Sequence, residues 1–339
     1  MLETNRLCLR PFVFDDAAAM YANWAADQDV LRYMPYNVCN TLEETQAAVK
    51  EWLSYFDGMP KQGEAFALVE KTSGSVIGTI DYLITDQASQ AAEIGYQLGK
   101  QWWGNGFAAE ALIKLISHCF KTVGLNRLWG AYDPRNPASG RVMEKAGMAF
   151  EGHMRQYKVR RGERVDRIIW AIIKDEYDTQ QDIAAYNTLP VNFDGFISMP
   201  QLSNNEIFLV CTKKQEADSA KGRVPSYSFA ICKQGEQIGN INLRIGYSAR
   251  LYYGGQIGYE IYEEYRGNSY ATQACSLLAP VARAHGMQKL LITNDVSNAA
   301  SIRVCEKLGA KLLRKVTVPQ WHDLYKADGV LQNVFEWQL

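Results

Sequence analysis

The chain has 339 residues, 47% of them hydrophobic and 22% charged, which is enough to bury the cores of two ordinary globular domains. Its 36 lysine and arginine residues against 37 aspartate and glutamate residues give a net charge of −1, which disfavours nucleic acid as the main ligand. The sequence contains no long apolar run and no signal-peptide pattern, so we expect no membrane partner. Seven scattered cysteines without a C-x-x-C pair argue against a disulfide framework or a metal site and favour a reducing cytoplasm.

Strand and helix patterns alternate along the first half of the chain. Strand patterns lie at 6–10, 65–69, 76–80, 92–98, 126–133, 155–160 and 166–173. One helix pattern begins at Phe14, and others cover 27–34, 41–56, 107–120 and 138–145. The helix at 41–56 should end near 58–60. Gly124 and Gly147 supply helix stops. This order predicts an α/β fold of the α+β kind, with helices on the faces of a mixed sheet.

A glycine-containing loop joins the strand at 92–98 to the helix at 107–120. Its sequence is Gln101-Trp102-Trp103-Gly104-Asn105-Gly106, followed by Phe107 and Ala108. Two glycines allow a tight turn, and a turn between a strand and a helix start directs several N–H groups outward at the positive end of the helix dipole. Such a nest binds phosphate or pyrophosphate. The loop is neither a P-loop nor a dinucleotide fingerprint, because it lacks GK[ST] and a third glycine.

The second half of the chain repeats the first at an offset of about 162 residues. The segments 257–261, 264–271, 298–301 and 306–309 match 94–98, 101–108, 136–139 and 144–147. Residues 177–195 lose periodicity and gather turn-forming residues, which indicates a linker. We therefore predict one domain over 1–176, a linker over 177–195 and a second domain over 196–339. The second domain has strand patterns at 207–211, 227–232 and 238–245 but no clear pair of early helices.

The glycine loop resembles the coenzyme A pyrophosphate loop of the GNAT superfamily of acyl-CoA N-acyltransferases, and the repeat extends the resemblance over nearly the whole chain as two tandem GNAT folds. The first module carries Thr4-x-Arg6-Leu7-x-Leu9-Arg10, Asn136-x-x-Ser139 and Lys145-x-Gly147. These motifs make it similar to the RimJ/RimL branch, which acetylates ribosomal-protein N-termini. The second module resembles small bacterial GNAT proteins with a shortened front end. The resemblance implies an acetyl-CoA-dependent transferase that acetylates a primary amine and needs no metal.

The resemblance also implies which residues contact coenzyme A. In the first module they are Gly95, Tyr96, Gln97, Leu98, Gln101, Trp102, Trp103, Gly104, Asn105, Gly106, Phe107, Ala108 and Asn136. In the second module they are Ile261, Arg266, Gly267, Asn268, Ser269, Tyr270, Ala271 and Asn298. For Trp102 and Trp103 the alternative is packing beside the loop without ligand contact.

Four residues are candidates for proton transfer. Glu93 is the predicted general base, because its Ala-Glu-Ile-Gly-Tyr context matches the strand that carries the catalytic glutamate in histone-type GNAT enzymes; the alternative is a strand acid paired with a surface lysine. Ser139, and Ser301 by the repeat, would protonate the departing thiolate; the alternative is an ordinary first-turn serine behind an asparagine N-cap. Tyr325 is a further candidate acid for the second module, because C-terminal tyrosines serve this role in some GNAT enzymes.

Several departures from the family pattern make the first module the expected catalytic centre. Lys158 stands where the RimL-type branch has a glutamate, which puts that branch's direct mechanism in doubt. The second module has Gln256 in place of Glu93, Glu264 in place of Gln101 and Ser269 in place of Gly106. The basic stretch 158–164 is either a solvated hairpin or a rim that attracts an acidic acceptor or the 3′-phosphate of coenzyme A.

The sequence leaves the acceptor open. A peptide N-terminus and a small molecule, such as an antibiotic or polyamine, are both compatible with the family, and a deep acidic pocket would favour the small molecule. A rival from another class is an acyl-CoA-binding sensor or scaffold in which one or both modules have lost turnover. The oligomeric state also stays open, with a homodimer as one option.

Overall fold

The structure is a computed structural model, and it describes residues 1–56, 62–199 and 201–339. The described chain forms two compact units, Met1–Asp178 and Thr179–Leu339, each with its own hydrophobic core. The predicted mixed α/β architecture is confirmed. In the described part of the chain, no helix has the length and apolar character needed to cross a membrane.

One eight-stranded sheet forms the centre of the N-terminal unit, in the order β1-β2-β3-β4-β5-β6-β8-β7. The strands are β1 (Leu2–Glu3), β2 (Leu7–Pro11), β3 (Gly63–Glu70), β4 (Val76–Asp86), β5 (Ala91–Leu98), β6 (Arg127–Tyr132), β7 (Ala149–Arg160) and β8 (Glu163–Ile173). Neighbouring strands are antiparallel except β5 and β6, which pair in parallel. The glycine loop and α4 follow β5 of this parallel pair.

Among the described residues, the helices that follow or connect these strands are α1 (Ala17–Met20), α2 (Gln28–Leu31), α3 (Leu42–Ser54), α4 (Phe107–His118) and α5 (Pro137–Lys145). α6 (Lys174–Asn187) begins in this unit and ends in the next. The helix predicted from Phe14 begins as a 3-10 turn, continues as α1 and ends in a π-helical segment, Tyr21–Ala25. The helix end predicted near 58–60 lies outside the described residues. α4 buries the predicted apolar face, and Gly124 ends the following turn with a φ of 83°.

β5 and β6 are paired over only three residues each. Ala91, Ala92 and Glu93 pair with 127–129, and beyond Glu93 the ladder between the two strands stops. At this point the side chain of Ile94 packs against Gly130 of β6, where an added Cβ would lie 3.0 Å from Ile94. The separation leaves the β6-facing backbone edge of β5 without a strand partner along 94–98.

Two smaller sheets make up the C-terminal unit, in the orders β12-β11-β10-β9 and β13-β15-β14. The strands are β9 (Phe208–Gln215), β10 (Ser226–Lys233), β11 (Glu236–Arg244), β12 (Ile257–Ile261), β13 (Lys289–Asp295), β14 (Lys311–Thr317) and β15 (Leu331–Gln338). The helices are α7 (Ala249–Gly254), α8 (Tyr270–Ala284) and α9 (Ala299–Lys307). Pro280 lies inside α8.

The paired strands β4–β5 and β11–β12 have the same register. Asp81 lies opposite Gly95 in the first pair, and Asn242 lies opposite Gly258 in the second. In both pairs a glycine further along, Gly78 or Gly239, has no room for a Cβ against the partner backbone. The internal repeat therefore extends to strand register, and residues of the two units can be compared position by position.

Part of the predicted linker is helical. Residues 177–187 belong to α6, and the aromatic side chains near its two ends are buried. Tyr177 packs on Phe120 at a ring distance of 5.2 Å within the N-terminal unit, and Tyr186 packs on Tyr252 within the C-terminal unit. α6 carries no continuous apolar face, which is why its sequence shows no helical period.

Candidate active site

The glycine loop between β5 and α4 adopts the backbone that the sequence predicts. Gly104 and Gly106 have φ values of 78° and 80°, in the left-handed region that favours glycine. No atom lies within 4 Å of the position that a Cβ on Gly104 would take, so its requirement is conformational and not steric. Gly106 is the N-cap of α4, and the first helical bond runs from Glu110 N–H to its carbonyl. The N–H groups of 107–109 precede that bond and are oriented for an anion.

Side chains of the loop hold its shape. The Asn105 amide donates to the Trp103 carbonyl at 3.2 Å, and the Trp103 indole donates to the Leu98 carbonyl at 2.7 Å. Trp102 packs against Gly99 and the core, whereas Gln101 is exposed. These contacts fit the packing alternative for both tryptophans, and Trp103 keeps 46% of its surface accessible.

Arg6 is a loop neighbour that the sequence analysis placed only in a strand motif. Its guanidinium donates to the Asn105 carbonyl at 2.9 Å, forms an ion pair with Glu110 at 2.6 Å and stacks over Phe107 at 4.4 Å. Because 46% of its side chain is exposed, Arg6 presents a cation to any diphosphate on the loop.

The second loop is built in the same way. Gly267 has a φ of 84°, and Ser269 takes the left-handed N-cap position with a φ of 61°. The Asn268 amide donates to the Arg266 carbonyl, and Arg266 in turn donates to the Ile261 carbonyl at 3.1 Å. Serine therefore occupies the backbone conformation that Gly106 has in the first loop.

A lysine completes the second loop. Lys307 donates to the Ser269 hydroxyl at 2.7 Å, so a cation lies beside this loop as Arg6 does beside the first. Tyr270 and Ala271, which open α8, are buried behind the loop, whereas Glu264 is exposed. The predicted cofactor residues of this segment thus include two that contribute only their backbone.

Each unit holds a tyrosine–serine pair that joins a strand to a helix, β5 to α5 in the first unit and β12 to α9 in the second. The Tyr96 hydroxyl lies 2.8 Å from Ser139 Oγ and also donates to the Ser139 carbonyl at 2.9 Å. The Tyr259 hydroxyl lies 2.8 Å from Ser301 Oγ. Burial raises the pKa of both tyrosines, so both hydroxyls stay protonated at neutral pH. The structure thus joins residues that the sequence analysis assigned separately to cofactor binding and to proton transfer.

Tyr259, not Tyr325, is the tyrosine that the structure brings to Ser301. Tyr325 lies in the β14–β15 loop, where its backbone N–H donates to the His322 carbonyl at 2.9 Å. The contacts of Ser301 within the described residues are with Tyr259 and with Asn298. The structure thus places a tyrosine of strand β12, and not the C-terminal tyrosine, beside Ser301.

The two asparagines at the helix starts differ. Asn298 Oδ1 accepts from the Ser301 N–H at 3.0 Å, which is the predicted N-cap bond. Asn136 is the N-cap of α5 and is followed by Pro137, but its side chain makes no capping bond. The N–H of Ser139 instead donates to the Asn136 carbonyl at 3.1 Å. Asn136 therefore holds the predicted N-cap position without a side-chain capping bond, and its amide is available for another partner.

Glu93 is the last residue of β5 that pairs with β6, so its carboxylate lies where the strands separate. Arg167 of β8 approaches it at 3.9 Å, and 35% of the Glu93 side chain is exposed. Burial raises the pKa of Glu93, while the positive charges of Arg167 and Lys158 partly oppose that shift. A carboxylate with a raised pKa at the opening between two strands has the properties of a general base.

The basic β7–β8 hairpin is exposed at its tip, as predicted, and two arginines anchor it to the protein. Arg160 pairs with Asp133 at 2.7 Å and donates to the Tyr33 carbonyl at 2.9 Å. Arg161 donates to the Tyr36 carbonyl, also at 2.9 Å. Hydrogen bonding from Arg135 and the charge of Arg160 lower the pKa of Asp133 to about 2. The hairpin is therefore tied to the segment 31–36, whose Tyr36 hydroxyl accepts a hydrogen bond from Gln97 of β5.

Gln256 stands at the position of Glu93 in the C-terminal unit and is fully buried. Its Oε1 accepts from the Leu291 N–H, and its Nε2 donates to the Gly246 carbonyl at 3.1 Å. Both ends of the amide are used to join backbone segments. This unit thus has a structural amide where the first has a partly exposed acid.

The comparisons with known proteins agree with this geometry. The family model described as an acetyltransferase (GNAT) domain matches the chain twice, over residues 6–149 and 196–311. The uncharacterized N-acetyltransferase p20 of Bacillus licheniformis is 33% identical over 178 residues, which are 52% of this chain and 97% of that relative. This relative therefore corresponds in length to one unit.

Two further proteins are similar over about half of the chain. The [ribosomal protein uS5]-alanine N-acetyltransferase of Escherichia coli (strain K12) is 26% identical over 182 residues, covering 52% of this chain and 92% of that relative. The crystal structure of a GNAT-family acetyltransferase from Bacillus anthracis is 28% identical, with a TM-score of 0.45, and the match covers 51% of this chain and 98% of that one.

Proposed function

The chain belongs to the GNAT acetyltransferase family, and we propose that its N-terminal unit transfers the acetyl group of acetyl-CoA to a primary amine by direct attack. The observation that carries this proposal is the separation of β5 from β6 after Glu93. A carboxylate lies at the start of the separation, a glycine loop follows its end, and a hydroxyl pair borders it. This arrangement brings together an anion nest, a base and an acid.

The described residues fit coenzyme A as the acyl donor. The left-handed glycines and the free N–H groups at the start of α4 suit a diphosphate, and Arg6 adds positive charge beside them. The unpaired edge of β5 offers backbone hydrogen bonds to an extended pantetheine arm. When bound, acetyl-CoA supplies a thioester carbonyl that an amine can attack. Asn136, with its uncapped amide, is a further candidate contact.

Glu93 would keep the acceptor amine neutral. An α-amine with a reference pKa of about 7.7 has a substantial neutral fraction near pH 7, so its deprotonation costs about 1 kcal/mol. Deprotonating a lysine amine, with a pKa near 10.4, costs about 4–5 kcal/mol at the same pH. The raised pKa of Glu93 brings its proton affinity closer to that of an α-amine. We therefore expect low-pKa primary amines, such as peptide N-termini, to be better acceptors than lysine side chains.

Ser139→Ala tests the hydroxyl pair. We expect kcat to fall about tenfold, because the serine would pass a proton to the leaving thiolate, whose pKa near 8.5 makes this help modest. Stopped-time thiol assays at saturating substrates would measure the change. Ser301→Ala is the matched control, because it removes the same hydroxyl from the tyrosine of the other unit. Equal losses in both variants would contradict a role confined to the N-terminal unit.

The acceptor is proposed to be a peptide N-terminus. One relative is named for an alanine of ribosomal protein uS5, and the expected preference for low-pKa amines points the same way. The alternative remains a small-molecule amine. Thiol release from acetyl-CoA, measured across alanyl peptides, lysine, polyamines and aminoglycosides, tests both. Release with alanyl peptides is expected; release with none of these amines would overturn the proposed activity.

We propose that the C-terminal unit binds coenzyme A without transferring its acetyl group. Its glycine loop and hydroxyl pair match those of the first unit, which supports binding. Gln256 has no ionisable group and is occupied by backbone partners, so no base stands at the position of Glu93. The exposed Glu264 beside the loop is unfavourable for a diphosphate, and weaker binding than in the first unit is expected.

A further inference from the structure

Asp81 of β4 is a second carboxylate on the face of the sheet that carries Glu93. It lies opposite Gly95, two residues beyond Glu93 on β5. A Cβ on Gly95 would lie 2.9 Å from Asp81 Oδ1 and 3.1 Å from Oδ2. Because alternate residues of a strand point to the same face, Asp81 shares this face with Glu93 and Gln97. The glycine at 95 thus makes room for a carboxylate.

Acceptor oxygens without donors collect on this face. The carboxylate of Asp81 has no hydrogen-bond or ion-pair partner among the residues that the structure describes. Gln97 Oε1 is buried and has no partner among the described residues, while its Nε2 donates to the Tyr36 hydroxyl. Buried acceptors without donors are uncommon in folded proteins, and an ammonium group brings three donors. The face therefore has the polarity that a protonated primary amine requires.

The C-terminal unit carries the same side-chain shapes without the acids. Asn242 lies opposite Gly258, and a Cβ on that glycine would lie 3.0 Å from Asn242 Nδ2. Asn242 and Gln256 are the amide counterparts of Asp81 and Glu93. Arg244 takes the place of Leu83 and donates to the Gly255 carbonyl at 3.0 Å. One unit thus presents two carboxylates, and the other presents two amides and a cation.

We propose that Asp81 and Glu93 form an acid pair that binds the acceptor in its ammonium form, with Asp81 as the positioning residue for Glu93. This inference rests on the proposed function. The ammonium gives one proton to Glu93, and the neutral nitrogen attacks the thioester carbon. The C–S bond then breaks, the thiolate takes a proton from the Tyr96–Ser139 pair, and the nitrogen loses its second proton to solvent as the amide forms. Solvent restores the hydroxyl proton and removes the proton on Glu93.

Three titratable groups outside the pair act on it. Tyr36 lies beside Asp81, and Lys158 of β7 and Arg167 of β8 act on Glu93. Burial, and then the negative charge of Glu93, raise the pKa of Asp81 to about 7. Asp81 therefore gains its charge as the pH rises through neutrality, which strengthens both ammonium binding and the proton affinity of Glu93.

Asp81→Asn, compared with wild type over pH 5 to 9, tests the pair. We expect kcat/KM of the wild type, measured with the best amine of the panel, to increase with pH in a step centred near pH 7. The variant should lose that step, and its kcat/KM should be about tenfold lower at pH 8. A tenfold change corresponds to a fall of about one unit in the pKa of Glu93 when the charge of Asp81 is removed. Most of the loss should appear as a higher KM for the amine. Asn242→Asp is the control, because it adds a carboxylate at the equivalent position and should leave the profile unchanged.

Unfolding gives a readout that does not depend on activity. A carboxyl that stays protonated to about pH 7 when folded, but ionises near 3.9 when unfolded, makes the free energy of unfolding fall as the pH rises between these values. Wild type should lose stability over this range relative to Asp81→Asn. The proposed acid pair would be overturned if the free energy of unfolding had the same pH dependence in both proteins. It would also be overturned if the variant kept the wild-type rise of kcat/KM near pH 7 and the wild-type KM. If the wild type were inactive with every amine, the proposed function would be overturned. The unfolding comparison would still test whether Asp81 stays protonated to about pH 7 in the folded protein.

Discussion

Gly104→Glu should abolish coenzyme A binding in the N-terminal unit, with a loss in affinity of about 100-fold or more. The variant places a carboxylate inside the anion nest and forces a non-glycine residue to a φ of 78°. Calorimetric titration with coenzyme A would count the sites, and we expect two in wild type and one in the variant. Acetyl transfer should be lost with the first site.

Gly74→Glu is the matched control for this variant. Gly74 has a φ of 70°, and, as at Gly104, no atom lies within 4 Å of the position of an added Cβ. Gly74 lies in the turn between β3 and β4, so its variant carries the same backbone strain and the same charge away from the loop. Unchanged binding in Gly104→Glu, or an equal loss in Gly74→Glu, would rule out this loop as the diphosphate site.

Glu93→Gln should lower kcat/KM for the amine about 10²-fold or more, the usual contribution of a general base. The substitution keeps the shape of the side chain and removes its ability to accept a proton. Because Glu93 lies at the last paired residue of β5 and outside the glycine loop, the Kd for coenzyme A should not change. Steady-state kinetics with the best amine of the panel, together with a coenzyme A titration, would measure both effects.

The repeat supplies the reciprocal variant. Gln256→Glu places an acid where the C-terminal unit has a buried amide bonded to Leu291 and Gly246, so we expect lower stability and no gain of turnover. Full activity in Glu93→Gln would exclude Glu93 as the base. Activity that appears in the Glu93→Gln, Gln256→Glu double variant would show that the C-terminal unit needs only a carboxylate.

Local requirements made the loop and its helix predictable from the sequence. Gly104, Gly106 and Gly124 all have positive φ values, and each marks a turn or a helix end that glycine favours within a few residues of chain. The apolar spacing of α4 is similarly local. The internal repeat then predicts an equivalent loop and helix in the second unit, and this prediction needs no information on long-range contacts.

Long-range contacts could not be predicted in this way. Tyr96 and Ser139 are 43 residues apart, and Arg6 and Asn105 are 99 apart, so no pattern in a single sequence joins them. Asp81 lies on a strand with no motif, and only the register of β4 with β5 places it opposite Gly95. The register of β11 with β12 then identifies Asn242 as its counterpart.

Tertiary contacts decided several local details that the sequence does not show. Asn136 has the residue type of an N-cap, yet the Asn136 carbonyl, not its side chain, accepts from the Ser139 N–H. The tip of the basic stretch 158–164 is exposed, as a solvated hairpin should be, but the sequence does not show that Arg160 and Arg161 donate to carbonyls in the segment 31–36. In α6, the buried Tyr177 and Tyr186 support a helix in a segment that lacks an apolar period.

Amine-dependent thiol release by Gly104→Glu and Gly267→Glu, measured side by side with wild type, tests the central claim most directly. The two glycines occupy equivalent positions in the two loops, with φ values of 78° and 84° and open space around each. We predict that Gly104→Glu abolishes release, whereas Gly267→Glu retains it at close to the wild-type rate. Release that survives in Gly104→Glu and disappears in Gly267→Glu would place catalysis in the C-terminal unit and contradict this account.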